Sequence, residues 1–141
     1  MRNESSVSFS NVASPGKRDP GARMTFEEPR ALEILTALTQ HEIDELPFGV
    51  IAMSLDGIVT GYSMFESRAS GYSVTRVLGR AFFTDVAPCT NNYMVAGRFD
   101  EPTLDEVLNY VFTFKVKPTP VRLRLLKSAK GGTQYVLVQR S

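Results

Sequence analysis

The chain has 141 residues, a formal net charge of +1 and a single cysteine. This length supports one domain with its own hydrophobic core, and the near-neutral mixture of acids and bases excludes a general attraction to nucleic acid or to anionic membranes. One thiol cannot close an internal disulfide, and it supplies too few soft ligands for a structural zinc site. Cys89 therefore keeps four roles at this point: core filler, redox-sensitive thiol, nucleophile, or attachment point for a prosthetic group.

The N-terminal part of the chain divides into a polar stretch and an amphipathic one. Residues 1–23 are dominated by Ser, Asn, Gly, Pro and charged side chains, so we expect a flexible tail there. From Leu32 through Leu35 and Leu38, apolar residues recur at spacings near three or four, which is typical of short amphipathic helices. We therefore predict an N-terminal helical cap over residues 24–47, named the cap below.

Neither a membrane span nor a secretion signal is indicated. No apolar run approaches the roughly 20 residues that cross a bilayer. The opening residues Met1-Arg2-Asn3-Glu4-Ser5-Ser6 lack the apolar core of a secretion signal. We expect a cytoplasmic protein without membrane contact, and a single free thiol is ordinary in that compartment.

Residues 48–141 have the pattern of an α+β domain. Two β-prone runs flank the turn residues Asp56 and Gly57, which predicts a β-hairpin. Short helices and loops fit residues 63–107, which mix Ser, Gly and Asn with short apolar clusters. Period-two alternation then predicts three further strands, at residues 108–116, 121–125 and 135–139, with the Pro118-Thr119-Pro120 break after the first. We predict an antiparallel sheet of about five strands with the helical middle on one face.

Several motifs in the middle of the chain resemble those of known sensor domains. The motifs Ser70-Gly71-Tyr72-Ser73, Val77-Leu78-Gly79-Arg80 and Phe82-Phe83 are similar to the PAS pattern. The longer run Gly79-Arg80-Ala81-Phe82-Phe83-Thr84-Asp85-Val86-Ala87-Pro88-Cys89-Thr90 resembles the chromophore-attachment segment of the photoactive yellow protein family, and the resemblance extends over roughly residues 30–141. It implies a PAS fold and p-hydroxycinnamic acid bound to Cys89 as a thioester.

The resemblance also implies how the chromophore would be held. Tyr62 and Glu66 would donate hydrogen bonds to its phenolate, Ser70 would support Tyr62, and the backbone N–H of Cys89 would reach its carbonyl. A phenolate in a low-dielectric pocket needs such donors, and burial would keep Glu66 protonated. From the residues alone, the spacing of four says only that the two side chains meet if the chain turns helically. The implied pocket lining comprises Ile51, Tyr72, Phe82, Val86, Ala87, Thr90, Val95, Phe112, Phe114 and Val116.

Two positions depart from the best-known pattern of the family. Tyr72 stands where that pattern has an arginine, and Val116 where it has a methionine. Tyr72 cannot supply a cation, and Val116 is shorter and lacks the polarizable thioether. We expect these changes to alter the absorption maximum and the rate of dark recovery while the reaction stays intact.

The implied function is that of a blue-light photoreceptor rather than an enzyme. Light would drive trans–cis isomerisation of the chromophore, and Glu66 would transfer its proton to the phenolate. The buried charge left behind would destabilise the packing, so that residues 28–46 open and signal to an unidentified downstream protein.

Three alternatives to this function stay open. A PAS small-ligand or protein-interaction module would leave Cys89 unmodified, and fold alone does not exclude it. A thiol enzyme would need a base, and His41 is the single histidine available. A nucleic-acid site would use the basic residues of one strand region, although alternating charges on a strand are usually solvated: Arg122, Arg124, Lys127 and Lys130.

Overall fold

The computed structural model describes residues 24–113 and 117–140, which fold around one five-stranded sheet. The strands are β1 (Gly49–Ser54), β2 (Val59–Tyr62), β3 (Leu104–Phe112), β4 (Thr119–Lys127) and β5 (Thr133–Arg140). All neighbouring strands pair antiparallel, in the order β2-β1-β5-β4-β3. The predicted tail at residues 1–23 and two predicted pocket residues, Phe114 and Val116, lie outside the described ranges.

The predicted hairpin forms as β1 and β2. Gly57 adopts a left-handed conformation with φ of 82°, and its backbone N–H donates to the carbonyl of Ser54 at 2.9 Å. Glycine meets this turn geometry without a steric penalty. The register of the pair shifts between Ala52 and Met53, which is a local bulge beside the site described below.

The helices are short, and several of them begin with a side-chain cap. They are α1 (Ala31–Ala37), α2 (Gln40–Asp44), α3 (Met64–Ser70) and α4 (Val74–Val77), followed by a π-helical turn (Phe82–Val86) and two 3₁₀ turns (Pro88–Thr90 and Ala96–Asp100). Thr39 and Glu42 form a reciprocal capping box at the start of α2. Ser63 caps α3, which ends at Gly71 in a left-handed conformation.

Each face of the sheet has its own apolar core. The inner face, which carries Ile51, Leu123 and Val136, packs against α4, the π-helical turn and the 3₁₀ turns. The outer face packs against the N-terminal segment, and its contacts include Phe26 and Phe48, whose rings meet edge-to-face at 5.9 Å. The α+β class, the five strands, the helices on one face and the N-terminal helical cap are thereby confirmed.

The starts of β3 and β4 differ from the predictions. β3 begins at Leu104, four residues before the predicted start, because the exposed polar residues Asp105 and Glu106 pair along β4 without interrupting the ladder. β4 begins at Thr119 and includes Pro120, which lies opposite Val111 before the pairing with β5 starts. A proline is tolerated there because few ladder hydrogen bonds depend on its missing N–H.

Candidate functional site

Tyr62 and Glu66 meet beneath the inner face of the sheet, as the helical-turn hypothesis required. Tyr62 ends β2, and Glu66 lies in the first turn of α3. The Ser63 hydroxyl between them accepts hydrogen bonds from the backbone N–H of Val50 at 3.0 Å and of Glu66 at 3.2 Å. This fixes the change from strand to helix, and both side chains are almost completely buried.

Tyr62 is held as a neutral hydroxyl. Its Oη atom lies 2.9 Å from Oγ of Ser70, which is itself buried at the end of α3. Burial and, to a smaller extent, the nearby Glu66 carboxylate raise the pKa of Tyr62 far above its ordinary value. Either hydroxyl can donate in this bond, and where Ser70 donates, the Tyr62 hydroxyl can direct its own proton toward a third group.

Arg140 is a further member of this site, and no pattern in the sequence indicated it. Its guanidinium makes two hydrogen bonds to the Glu66 carboxylate, Nη1 to Oε1 at 2.6 Å and Nη2 to Oε2 at 3.0 Å. Burial raises the pKa of the Glu66 carboxyl above its ordinary value, and the hydrogen bonds and charge of Arg140 oppose that rise. Burial therefore favours the protonated form of Glu66, and Arg140 favours the ionised form.

Gly49 makes room for this carboxylate. A methyl group added at Gly49 would lie 2.1 Å from Oε1 of Glu66, a distance at which one of the two must move. Gly49 opens β1 and pairs with Val138 of β5. The carboxylate thus rests on bare backbone at the start of β1.

Cys89 lies in the 3₁₀ turn Pro88–Thr90, partly buried against the inner core. Its carbonyl accepts hydrogen bonds from Oη of Tyr110 at 2.5 Å and from Nδ2 of Asn92 at 3.2 Å. The Thr90 hydroxyl donates to the carbonyl of Ala87 at 2.6 Å. These bonds hold the thiol-bearing turn in place, and the sequence analysis had not assigned that role to Tyr110 or Asn92.

Most of the predicted lining residues lie in the inner core. Tyr72 is partly buried and packs against that core, with the guanidinium of Arg76 4.9 Å from the centre of its ring. A cation therefore lies beside Tyr72, although the side chain of Tyr72 supplies none. Thr90 is buried in the thiol-bearing turn, and six predicted residues belong to the inner core itself: Ile51, Phe82, Val86, Ala87, Val95 and Phe112.

The base needed for a thiol enzyme is not placed for that role. His41 lies on α2, a helix of the cap, with its side chain 83% exposed and 3.3 Å from the carboxylate of Glu45. Cys89 packs on the opposite side of the sheet, against the inner core. Within residues 24–113 and 117–140, no three His, Cys, Asp or Glu side chains cluster as metal ligands.

The basic residues of β4 are engaged inside the molecule. Arg124 is 5% exposed, pairs with both carboxylate oxygens of Asp105 at 2.8 and 2.9 Å, and donates to the carbonyls of Phe26 and Glu28. Arg122 bonds Glu27 and Gln139 in the same region. These side chains attach the cap to the sheet, which leaves them poorly available to a nucleic acid. As far as the structure is described, none of its helices has the length and apolar character needed to cross a membrane.

No family model matches the chain, but comparison with individual proteins finds relatives that share one name. Photoactive yellow protein from Rhodothalassium salexigens is 34% identical over 103 residues, which cover 70% of this chain and 82% of the relative. The protein of the same name from Halochromatium salexigens is 32% identical over 110 residues, 75% of this chain and 88% of the relative.

Solved structures give the same result at the level of the fold. The photoactive yellow protein domain of a sensor histidine kinase from Rhodospirillum centenum matches with a TM-score of 0.71 and 35% identity, over 77% of this chain and 98% of that domain. A PAS domain of an HTR-like protein from Haloarcula marismortui matches with a TM-score of 0.58 at 14% identity, over 77% of this chain and 97% of that domain. The second match concerns the fold alone.

Proposed function

Because the chain belongs to the photoactive yellow protein family, we propose that it is a PAS-domain blue-light photoreceptor carrying p-hydroxycinnamic acid as a thioester on Cys89. The observation that carries this proposal is the buried cluster of Tyr62, Glu66 and Ser70, which shares the inner core with the thiol-bearing turn. Each of these polar groups has a partner inside the protein, Tyr62 with Ser70 and Glu66 with Arg140. A phenolic ligand in the same core would take Tyr62 and Glu66 as its own hydrogen-bonding partners.

The residues present suit p-hydroxycinnamic acid both at its acyl carbon and at its phenolic oxygen. Cys89 is partly exposed on a turn, so an acyl donor can reach its sulfur. Apolar and aromatic side chains such as Ile51, Phe82 and Phe112 suit an aromatic ring. At the far end, Tyr62 and a protonated Glu66 supply the two donors that an anionic oxygen requires.

When bound, the group would supply absorption of blue light and isomerisation from trans to cis. Tyr62 and Glu66 would stabilise its phenolate oxygen in the dark, with Ser70 fixing the direction of the Tyr62 hydroxyl. The proposal requires Glu66 to hold a proton in the dark, and burial, which raises the pKa of its carboxyl, favours that form. Glu66 would then be the group that gives a proton to the phenolate oxygen, and it would be left as a buried carboxylate.

In this proposal, residues 28–46 of the cap open after the light reaction and so transmit the signal. We assign residues 48–141 to the chromophore-binding domain and residues 24–47 to a cap that packs on its outer face. Within residues 28–46 the buried apolar side chains are Ala31, Leu35 and Leu46, and each leucine is worth about 1.5–3 kcal/mol; the Glu28 carbonyl also accepts a hydrogen bond from Arg124. A segment with few anchors opens at the lowest cost. A downstream signalling protein that binds the opened form would complete the pathway.

Acylation of the purified chain tests this function. With an activated p-hydroxycinnamate, the Cys89 thiolate attacks the acyl carbon, the activating group leaves, and the chain gains the mass of one acyl group. The expected product is yellow. Because Cys89 is the single cysteine of the chain, the variant Cys89→Ala is a clean control and should gain neither mass nor colour. A colourless wild type, or acylation that persists in Cys89→Ala, favours the small-ligand PAS module.

A further inference from the structure

Arg140 has the geometry of a dedicated partner for Glu66. The two nitrogens of its guanidinium face the two oxygens of the carboxylate, which is the strongest arrangement available to such a pair. The side chain of Glu66 is 2% exposed and that of Arg140 is 17% exposed. The pair therefore bridges the buried site and the surface of the sheet.

The fold positions Arg140 rigidly. It lies in the last residues of β5, opposite Val121 of β4, and the same strand pairs with Gly49 of β1 through Val138. The guanidinium also lies 5.8 Å from the centre of the Phe112 ring. The backbone of Arg140 is paired with β4 and its guanidinium lies beside an aromatic ring, so this side chain loses less freedom on binding a carboxylate than an unsupported one would.

We propose that Arg140 is the counterion of Glu66 and holds its carboxylate after the proton has left. This inference rests on the proposed function, in which Glu66 gives its proton to the phenolate. The proton moves from a carboxyl oxygen of Glu66 to the phenolate oxygen, no electron is transferred, and the negative charge moves from the ligand to Glu66. A buried carboxylate without a partner is very costly, and Arg140 removes most of that cost.

Arg140 is thus a positioning residue for proton release. With its proton, Glu66 serves as a donor on the Tyr62 side of the site; without it, Glu66 is an acceptor for Arg140, the arrangement that the structure displays. Removing the guanidinium makes the ionised form less favourable, so that the light-driven transfer is less complete and reverses sooner.

The surroundings of Glu66 leave Arg140 as the dominant charge. Among the described residues, the titratable groups that face the carboxylate are Tyr62 on β2 and Arg140 on β5. Tyr72 interacts with Tyr62 from the loop after α3. On the side of β1 the carboxylate meets Gly49, which carries no side chain.

Titration of Glu66 in the chain without chromophore tests the counterion directly. Carbon-13 NMR of the Glu66 carboxyl carbon gives its midpoint in the wild type and in Arg140→Gln. We expect Arg140→Gln to move the midpoint to higher pH by about 1 to 3 pH units, because the ionised form loses a cation in contact. Arg140→Lys restores the charge without the bidentate geometry, so its midpoint should fall between the two. The exposed Lys130→Gln removes one charge elsewhere and should leave the midpoint unchanged.

An equal midpoint in the wild type and in Arg140→Gln overturns the proposal. If Arg140→Gln does not fold, Arg140→Lys decides alone: a midpoint raised above that of the wild type supports the bidentate pair, and an unchanged one rejects it. Since these measurements use the chain without chromophore, they do not depend on light. A loaded wild type that shows no light reaction would reject the proposed function independently.

The loaded protein tests the role of Arg140 in the light reaction. Light-minus-dark infrared spectroscopy follows the loss of the protonated Glu66 carboxyl signal. The expected result is a smaller loss and a faster dark recovery in Arg140→Gln than in the wild type, with Lys130→Gln matching the wild type. Equal loss and equal recovery in Arg140→Gln would contradict the role of counterion.

Discussion

Gly49 tests the geometry of the buried carboxylate because a single methyl group placed there disturbs it. In Gly49→Ala the new carbon would lie 2.1 Å from Oε1 of Glu66 and 3.0 Å from its Cδ atom. The backbone of Gly49 lies in β1 with ordinary strand pairing, so alanine meets no conformational penalty of its own. The carboxylate must therefore move away from the position in which Arg140 holds it.

The expected loss of unfolding free energy in Gly49→Ala follows from two opposing contributions. Hydrogen bonds to charged groups are worth about 1.5–3 kcal/mol each, and Glu66 makes two of them with Arg140. Replacing glycine by alanine returns about 0.4–1 kcal/mol by restricting the unfolded chain. With partial relaxation of the site, we expect the free energy of unfolding to fall by about 2–4 kcal/mol.

Urea unfolding of the chain without chromophore measures this loss, with Gly132→Ala as the matched control. Gly132 has open space where a methyl group would be added, so its substitution should be neutral or slightly stabilising. In a Glu66→Ala background, the penalty of Gly49→Ala should largely disappear, because the obstructing carboxylate is gone. A Gly49→Ala protein as stable as Gly132→Ala would refute the reasoning.

Three further predictions concern the light reaction and the thiol-bearing turn. Glu66→Gln should keep a coloured state and weaken the light-induced hydrogen exchange of the cap; exchange equal to that of the wild type would reject the role of Glu66. Val116→Met should change the dark-recovery rate, measured by absorbance, and an unchanged rate would count against its role in tuning. Tyr110→Phe removes the donor to the Cys89 carbonyl and should lower the free energy of unfolding in urea by about 0.5–1.5 kcal/mol, whereas Tyr93→Phe, at an 85% exposed residue, should not.

The local parts of the fold were predictable because their causes are local. The Asp56-Gly57 pair encodes the hairpin turn, and the alternation after Leu108 encodes a strand with one buried face. The approach of Glu66 to Tyr62 followed from a helix that begins two residues after the strand. The resemblance to a known family added the attachment role that we propose for Cys89, which composition alone left open.

Arg140 was not predictable, because its partner lies 74 residues away in the chain. The pairing depends on β5 lying beside β1 at the centre of the sheet, and neither strand carries a local signal for that order. The role of Gly49 is hidden for the same reason, since it reflects a side chain that arrives from another element. The engagement of Arg124 with Asp105 likewise requires the register of β3 and β4.

The central claim is that Cys89 carries a chromophore whose negative charge is stabilised by hydrogen bonds from Tyr62 and Glu66. The visible absorption spectrum of the acylated chain, recorded before and after blue light, tests it most directly. We predict an absorption band that bleaches under blue light and returns in darkness, and that is missing from Cys89→Ala. A spectrum unchanged by light, in protein shown by mass to carry one acyl group, would contradict the claim.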